Sequence, residues 1–579
     1  MKILKYIPFS LFALITLLSG CEELKIGDAA LEQPPSVSVT LDTVFTKLEY
    51  AERLLFDGYR TLPWGLEDRL GGDLMETITD LAHSYLEGGG TTKFYYSGSI
   101  NAYVENMHWE TKFGYVKEQT WKGIRIAWIF IENADKIPDA TPEYINRLKA
   151  EARIIIAIHY TDMFRNFGGL PWVDHAYYPD DPIELPRITA RETLDSIINQ
   201  INLAVPDLPW TIDEPNNWDG RFTKASALGL KARLLLFAAS PLFNDDTPYM
   251  DGEAAQLHQT WYGSKDPALW QEAADAAIDL INEVESNGYY HLVNTGNPRQ
   301  DFQDAYYKRG NGEVLISTRR HFRSWDGWSL YVNAGDKGAG CITQEYVDMF
   351  GMANGLPITD PNSGYNPDDP LINRDPRLYE TVLVNGDYYQ GRTAELWIGG
   401  RERYSVAYLG TKSGYGLRKF LLERNNATSI GSIIHWPYLR LAEIYLSAAE
   451  ALNEVNGGPT TEAYRYVNAI RERVGLPGLQ ENLSQEDFRE AVLEERAKEF
   501  GFEEVRWYDI IRWKRADIFQ KKLHGEDLYR NPDGNYIRQR KNLPPRYWQT
   551  YWSPKFYLSA FPADEVYKGY GLVQNPGWD

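Results

Sequence analysis

The chain has 579 residues, 43% of them hydrophobic, with 81 acidic against 60 basic side chains and a formal charge of −21. So acidic a surface argues against a nucleic-acid partner, whose affinity comes from basic groups neutralising phosphates, and accepts a neutral or cationic ligand more readily. There are two cysteines, Cys21 and Cys341; if Cys21 is engaged elsewhere no internal disulfide is possible, and the fold must rest on its core.

The first segment carries Lys2, Lys5 and an apolar run from Ile7 to Leu18, closed by Leu18-Ser19-Gly20-Cys21. About a dozen apolar residues are too few to span a bilayer as a helix, and small residues precede the cut, which predicts a secretory signal over 1–20. A cysteine placed directly after the cut resembles a bacterial lipoprotein signal, in which that residue, here Cys21, is acylated. Several acyl chains would hold the protein durably at a membrane. Residues 21–40 then read as a lipidated leash, and no later segment is apolar enough over sufficient length to cross a bilayer.

Helical periodicity begins after the leash. Leu41 to Tyr59, Trp121 to Ile137, Tyr144 to Phe167, Thr189 to Val205, Lys224 to Ala239 and Ala268 to Glu285 each space apolar residues three and four apart. Four more segments follow later: Tyr438 to Val455, Glu462 to Val474, Gln485 to Phe500 and Val505 to Phe519. In the first of these, Tyr438, Leu441, Tyr445, Ala448, Leu452 and Val455 draw one apolar stripe. Helix pairs of this length fit a mainly α fold of degenerate tetratricopeptide-like units forming one compact body, with Trp436-x2-Leu439 matching the opening of that repeat. Arg440 and Glu443 depart from its consensus.

Between about 289 and 432 the texture changes: Gly, Asn, Asp and Tyr are frequent, and Glu313 to Thr318 and Thr381 to Val384 read as short strands between loops. A second long-loop region runs from Gly88 to Lys117. Loops of this length in a compact protein are functional or disordered, and their Trp and Tyr content argues against disorder.

Enzyme motifs are missing. There is no H-E-x-x-H, no cysteine pair for zinc, no G-x-S-x-G and no Walker loop, and none of the nine histidines is spaced from another as a ligand. Gly88-Gly89-Gly90 and Gly335 to Gly340 lack the strand-to-helix context of a phosphate loop and read as turns. His159, in an apolar helix, reads as a core residue, and Cys341 as a small buried one. Asp360-x-Asn362 and Asp213 through Asp219 gather oxygen ligands without the twelve-residue pattern of a calcium loop, so they read as turns and no cofactor is expected.

A sugar binder needs flat rings for the C–H faces of pyranoses and polar groups for their hydroxyls. Arg323, Trp325, Asp326, Trp328 and Tyr331 supply both, and their spacing follows neither a helical nor an alternating stripe, as expected of a loop. Tyr95, Tyr96, Asn101 and Trp109 form a second such cluster. The competing account is core packing, because 18 Trp and 39 Tyr in a large helical protein must mostly be buried.

Several stretches resemble the SusD/RagB family of outer-membrane nutrient-binding lipoproteins. They are Glu151-Ala152-Arg153 leading to Phe167-Gly168-Gly169-Leu170-Pro171-Trp172, Gly220-Arg221-Phe222-Thr223-Lys224, Arg374-Asp375-Pro376-Arg377-Leu378, Asn468-Ala469-Ile470-Arg471-Glu472-Arg473, Glu495-Arg496 with Glu499-Phe500, Arg506-Trp507-Tyr508-Asp509, and the ending Gln574-Asn575-Pro576-Gly577-Trp578. Ile156 departs, standing where a second Arg is expected. Glu495, Glu499, Arg506, Asp509 and Arg512 alternate in sign at helical spacing, which predicts ion pairs holding a scaffold. The resemblance implies a SusD-like domain over 41–579, with helical scaffold at about 41–288 and 433–579 around a loop-rich ligand region at about 289–432. It implies a non-catalytic protein, lipid-anchored on the outer face of an outer membrane, capturing an oligosaccharide for a SusC-like TonB-dependent barrel. An oligopeptide ligand, or a structural role with no ligand, are the alternatives.

Overall fold

A computed structural model describes residues 41–66, 70–105, 111–115, 119–178, 181, 184–321, 340–389, 391–405, 410–421 and 433–578, the side chains of 320, 321, 433 and 434 excepted. Helix accounts for 46% and strand for 9%, in one body.

The first half stacks helices α1 (Leu48–Tyr59), α2 (Thr120–Asn133), α3 (Pro142–Phe167), α4 (Ala190–Ala204), α5 (Lys224–Ala239) and α6 (Ala268–Asn287). Each of α1 to α4 packs on the next, and α5 packs on α4 and α6. Their starts follow local chemistry. Thr141 accepts from Tyr144 N ahead of Pro142, and Thr189 and Thr223 each close a reciprocal capping box, with Glu192 and Ser226. From Ile154 to Phe167 every residue of α3 is buried, which marks it as the central helix of the core. His159 lies there with Nε2 2.8 Å from Thr61 Oγ1, and burial lowers its pKa to about 4, so it is a neutral core residue.

After α7 (Pro298–Tyr307), the chain leaves the helices through a strand and returns to them through another. Strands β1 (Ala82–His83), β2 (Val314–His321), β3 (Cys341–Ile342), β4 (Val382–Leu383), β5 (Tyr388–Tyr389), β6 (Arg392–Thr393), β7 (Gly416–Leu417), β8 (Ile433–Arg440), β9 (His524–Arg530) and β10 (Tyr536–Asn542) pair in twos. β2 and β8 form an antiparallel ladder with a bulge near Ile316, which brings His321 and Ile433 together as register partners. That ladder rests on α5, where Ser226 Oγ donates to Leu315 O at 2.6 Å.

The second half comprises α8 (Leu441–Asn456), α9 (Thr461–Arg473), α10 (Gln485–Phe500) and α11 (Arg506–Arg512). Four features differ from the sequence expectation. Trp436 and Tyr438 belong to β8, so Trp436-x2-Leu439 opens no repeat; the fully buried Trp436 ring packs on Phe420 instead. Val455, assigned to the apolar stripe, is exposed. The segment from Val505 to Phe519 breaks after Arg512, where Lys514 takes φ 51°. Leu41 to Tyr59 is likewise broken, at Phe45 to Lys47.

The motif charges meet in a buried ionic core. Glu499 faces Arg440 at 3.0 Å, Arg377 at 3.3 Å and Arg473; Glu313 takes Arg440 and Arg473 at 2.7 Å each; Glu495 takes Arg377 at 2.7 Å and Arg471 at 3.1 Å. Burial alone would raise these carboxyls, but the surrounding guanidinium groups hold Glu495 and Glu499 well below the usual range. Arg506 pairs with Asp80 and Arg512 with Glu450, so the partners come mostly from outside the motif itself.

Candidate functional site

β1 and β3 join the two loop-rich regions. Ala82 pairs with Ile342 and His83 with Cys341, which sets the segment after β1 beside Gly340. The buried carboxylate of Asp73 ties this junction: Oδ2 accepts from Ser84 Oγ at 2.5 Å and Oδ1 from Gly340 N at 3.3 Å. Burial pushes its pKa up to about 7 against the opposing effect of the hydrogen bonds from Ser84, Thr91 and Gly340. Below it Gly71, at φ 70°, packs so tightly that a Cβ there would stand 2.5 Å from Gly90 N. The Gly88-Gly89-Gly90 run is thus a close backbone contact.

Above the junction lies a ledge of two rings and a cation. Lys412 Nζ sits 4.2 Å from the Tyr404 ring centroid and 5.3 Å from that of Tyr85, while Lys412 N donates to Cys341 Sγ at 3.3 Å. Tyr404 is 40% exposed and Tyr85 half-buried. The ledge is braced from behind: Tyr404 N donates to Thr411 O, Arg403 NH1 to Glu526 O, and Asp527 takes both Arg403 and Lys541. Such a set offers aromatic faces to apolar C–H surface and an ammonium to hydroxyl oxygens.

Of the residues singled out in the sequence, Arg323, Trp325, Asp326, Trp328, Tyr331, Trp109 and Cys21 lie outside the described residues. Gly340, the first described residue beyond the 322–339 stretch, is the one held by Asp73. Tyr95 is buried, its hydroxyl accepting from Lys112 N at 3.0 Å, so its ring presents no face to a ligand. Tyr96 is half-buried beside the rings of His83 and Trp548, donating to Thr77 O at 2.6 Å. Asn101 is exposed and caps its own turn through Ser99 O and Tyr103 N. The ledge residues Tyr85, Tyr404 and Lys412 carried no sequence signal, since isolated loop residues follow no period. Of the turns considered for calcium, Asp360 Oδ1 accepts from Asn362 N, and Asp219 is taken by Arg309 and Arg319.

A cavity of about 880 Å³ lies elsewhere, between α10 and the 351–360 loop. Pro357, Ile358, Leu479 and Leu483 floor it and several carboxylates rim it. Most of those are already paired: Glu490 and Asp517 with Arg515 at 2.8 Å, and Glu494 with Lys498 at 3.1 Å.

A model described as the SusD family matches residues 302–578. The SusD-like protein P2 of Formosa agariphila is 34% identical over 481 residues, 77% of each chain. The starch-binding protein SusD of Bacteroides thetaiotaomicron is 22% identical, over 68% of this chain and 69% of its own. Among solved structures, a SusD-like protein from Bacteroides fragilis superposes with a TM-score of 0.72 at 22% identity, covering 94% of this chain and all of its own.

Proposed function

Because this chain belongs to the SusD family, we propose that it is a non-catalytic cell-surface lipoprotein that captures an oligosaccharide and passes it to a SusC-like TonB-dependent outer-membrane barrel. The observation that carries the ligand class is the Tyr85–Lys412–Tyr404 ledge, placed where the two loop-rich regions meet. One relative is named a starch-binding protein and one similar structure, from Bacteroides fragilis, is titled a carbohydrate-binding protein, both in keeping with that class. Arg323, Trp325, Asp326, Trp328 and Tyr331 lead toward Gly340 and are assigned to the same ligand, as is Trp109 from the other loop region. Cys21 carries the lipid, and residues 21–40 form the leash that lets the protein swing while staying beside its barrel.

Calorimetric titration of the purified protein against a panel of starch-, xylan-, mannan- and β-glucan-derived oligosaccharides, with oligopeptides alongside, tests this. Binding of one glycan class, weakened by Trp325→Ala and Trp328→Ala, supports it. Binding of peptides alone would replace it with the second reading, which the acid-rimmed cavity at α10 favours. Release of reducing sugar by the purified protein would overturn the non-catalytic assignment.

A further inference from the structure

A separate cavity of about 310 Å³ opens between α1, the 215–221 turn and β2, walled by Phe56, Tyr59, Trp218, Arg221, Thr318 and Arg319. A second lobe of about 210 Å³ adjoins it, sharing Asp219, Gly220, Arg221 and Ser317 and adding Tyr289 and Asn311. Together the lobes fall within the size range of small-ligand sites, roughly 300–1,000 Å³.

Its rings are posed rather than packed away. Trp218 is 36% exposed, its ring 6.1 Å from that of Phe56 at 34°. Arg221 lies with its guanidinium carbon 5.3 Å from the Trp218 centroid and 5.9 Å from that of Phe56. Tyr59 is a fixed wall, stacked on Phe222 at 4.6 Å with its hydroxyl donating to Glu151.

The polar wall is also built. Glu214 takes φ 49° ahead of Pro215, and Gly220 takes φ 99°, where a Cβ would stand 3.1 Å from the Arg319 guanidinium. Only glycine admits that approach easily. Arg319 NH2 pairs with Asp219 Oδ2 at 2.6 Å, and Arg221 Nε donates to both oxygens of Glu151 at 3.0 and 3.1 Å. The carboxylates are therefore spent on the protein's own cations. Arg319, which lines the cavity, has its Nε buried with no acceptor among the described residues.

An aromatic face beside surplus donors suits a ring with apolar C–H faces and oxygen-bearing edges. We propose that this cavity is a second sugar subsite, in which a pyranose residue stacks on Trp218 and presents a hydroxyl or ring oxygen to Arg319. The proposal rests on the glycan-binding reading above and extends it: two subsites on one protein raise the affinity for long chains over short ones without new contacts at either.

The test is calorimetry on the full chain with trisaccharides of the four glycan classes named above, too short to be assumed to bridge both sites. The expected result is two trisaccharides per protein, reduced to one by Trp218→Ala and restored to two by Trp218→Phe, with Tyr404→Ala weakening only the other site. Thermal unfolding of each variant confirms that it is folded, and Phe56→Ala, lowering affinity at the same single site, serves as the second probe. If wild type binds one trisaccharide and both Trp218→Ala and Phe56→Ala bind it unchanged, the second subsite is overturned while the glycan-binding function stands. If wild type binds no glycan of any class, the function and the subsite fall together.

Discussion

The buried ionic core and the Tyr85–Lys412–Tyr404 ledge use the same kinds of groups to opposite ends. In the core, Glu313, Glu495 and Glu499 are fully enclosed and each is met by at least two cations; on the ledge a cation and two rings stand partly open to solvent. A buried charge is tolerable only when its partners are fixed, so the core requires particular residues at particular helical spacings. A ligand face requires only that rings and donors converge, which loops achieve from scattered positions. The parts of the chain easiest to recognise are accordingly those that hold it together.

The largest effect expected from breaking this contrast is in the core. Glu499→Gln strips one carboxylate from three arginines and is expected to destabilise the protein by roughly 3–5 kcal/mol, read by denaturant unfolding, with glycan affinity of the folded fraction unchanged. Because the folded pKa values of Glu495 and Glu499 are lowered, their contribution is present above the unfolded value of 4.5 and is lost as pH falls. Asp73 has the opposite sign. Its folded pKa of about 7 lies above the unfolded 3.8, so the native state keeps a proton that the unfolded chain loses, and stability falls as pH rises from about 4 to about 7. Asp73→Asn is expected to remove that slope and to stabilise the protein at pH 8 by roughly 1–3 kcal/mol.

On the ledge the balance reverses. Tyr404→Ala and Lys412→Ala are each expected to weaken glycan binding by about 5- to 30-fold, roughly 1–2 kcal/mol, while changing unfolding free energy by less than about 1 kcal/mol. Smallest is Tyr95→Phe, which removes the acceptor of Lys112 N and is expected to lower stability by about 1 kcal/mol with no change in affinity.

Helix positions were legible because caps and periodicity act locally: Lys224–Ala239 and Gln485–Phe500 have the bounds read from sequence. The end of β8, from Tyr438, reads as helix because Tyr438, Leu441 and Tyr445 fall three and four apart across a boundary that only the long-range pairing with β2 sets. The β9–β10 hairpin was missed although Asn531-Pro532-Asp533-Gly534 marks its turn, since β10 is largely exposed and shows no apolar alternation. Of the candidate site, composition singles out the two loop-rich stretches as places to look for a ligand. Their meeting through β1 and β3 was not, because a two-residue ladder leaves no pattern.

The central claim is that a glycan is held at the ledge. A crystal structure of the protein with the tightest-binding oligosaccharide of the panel tests it most directly. A sugar ring against Tyr404, with a hydroxyl within hydrogen-bond reach of Lys412 Nζ, is the expected result. A glycan seated in the cavity at α10, with Tyr85, Tyr404 and Lys412 untouched, would contradict it.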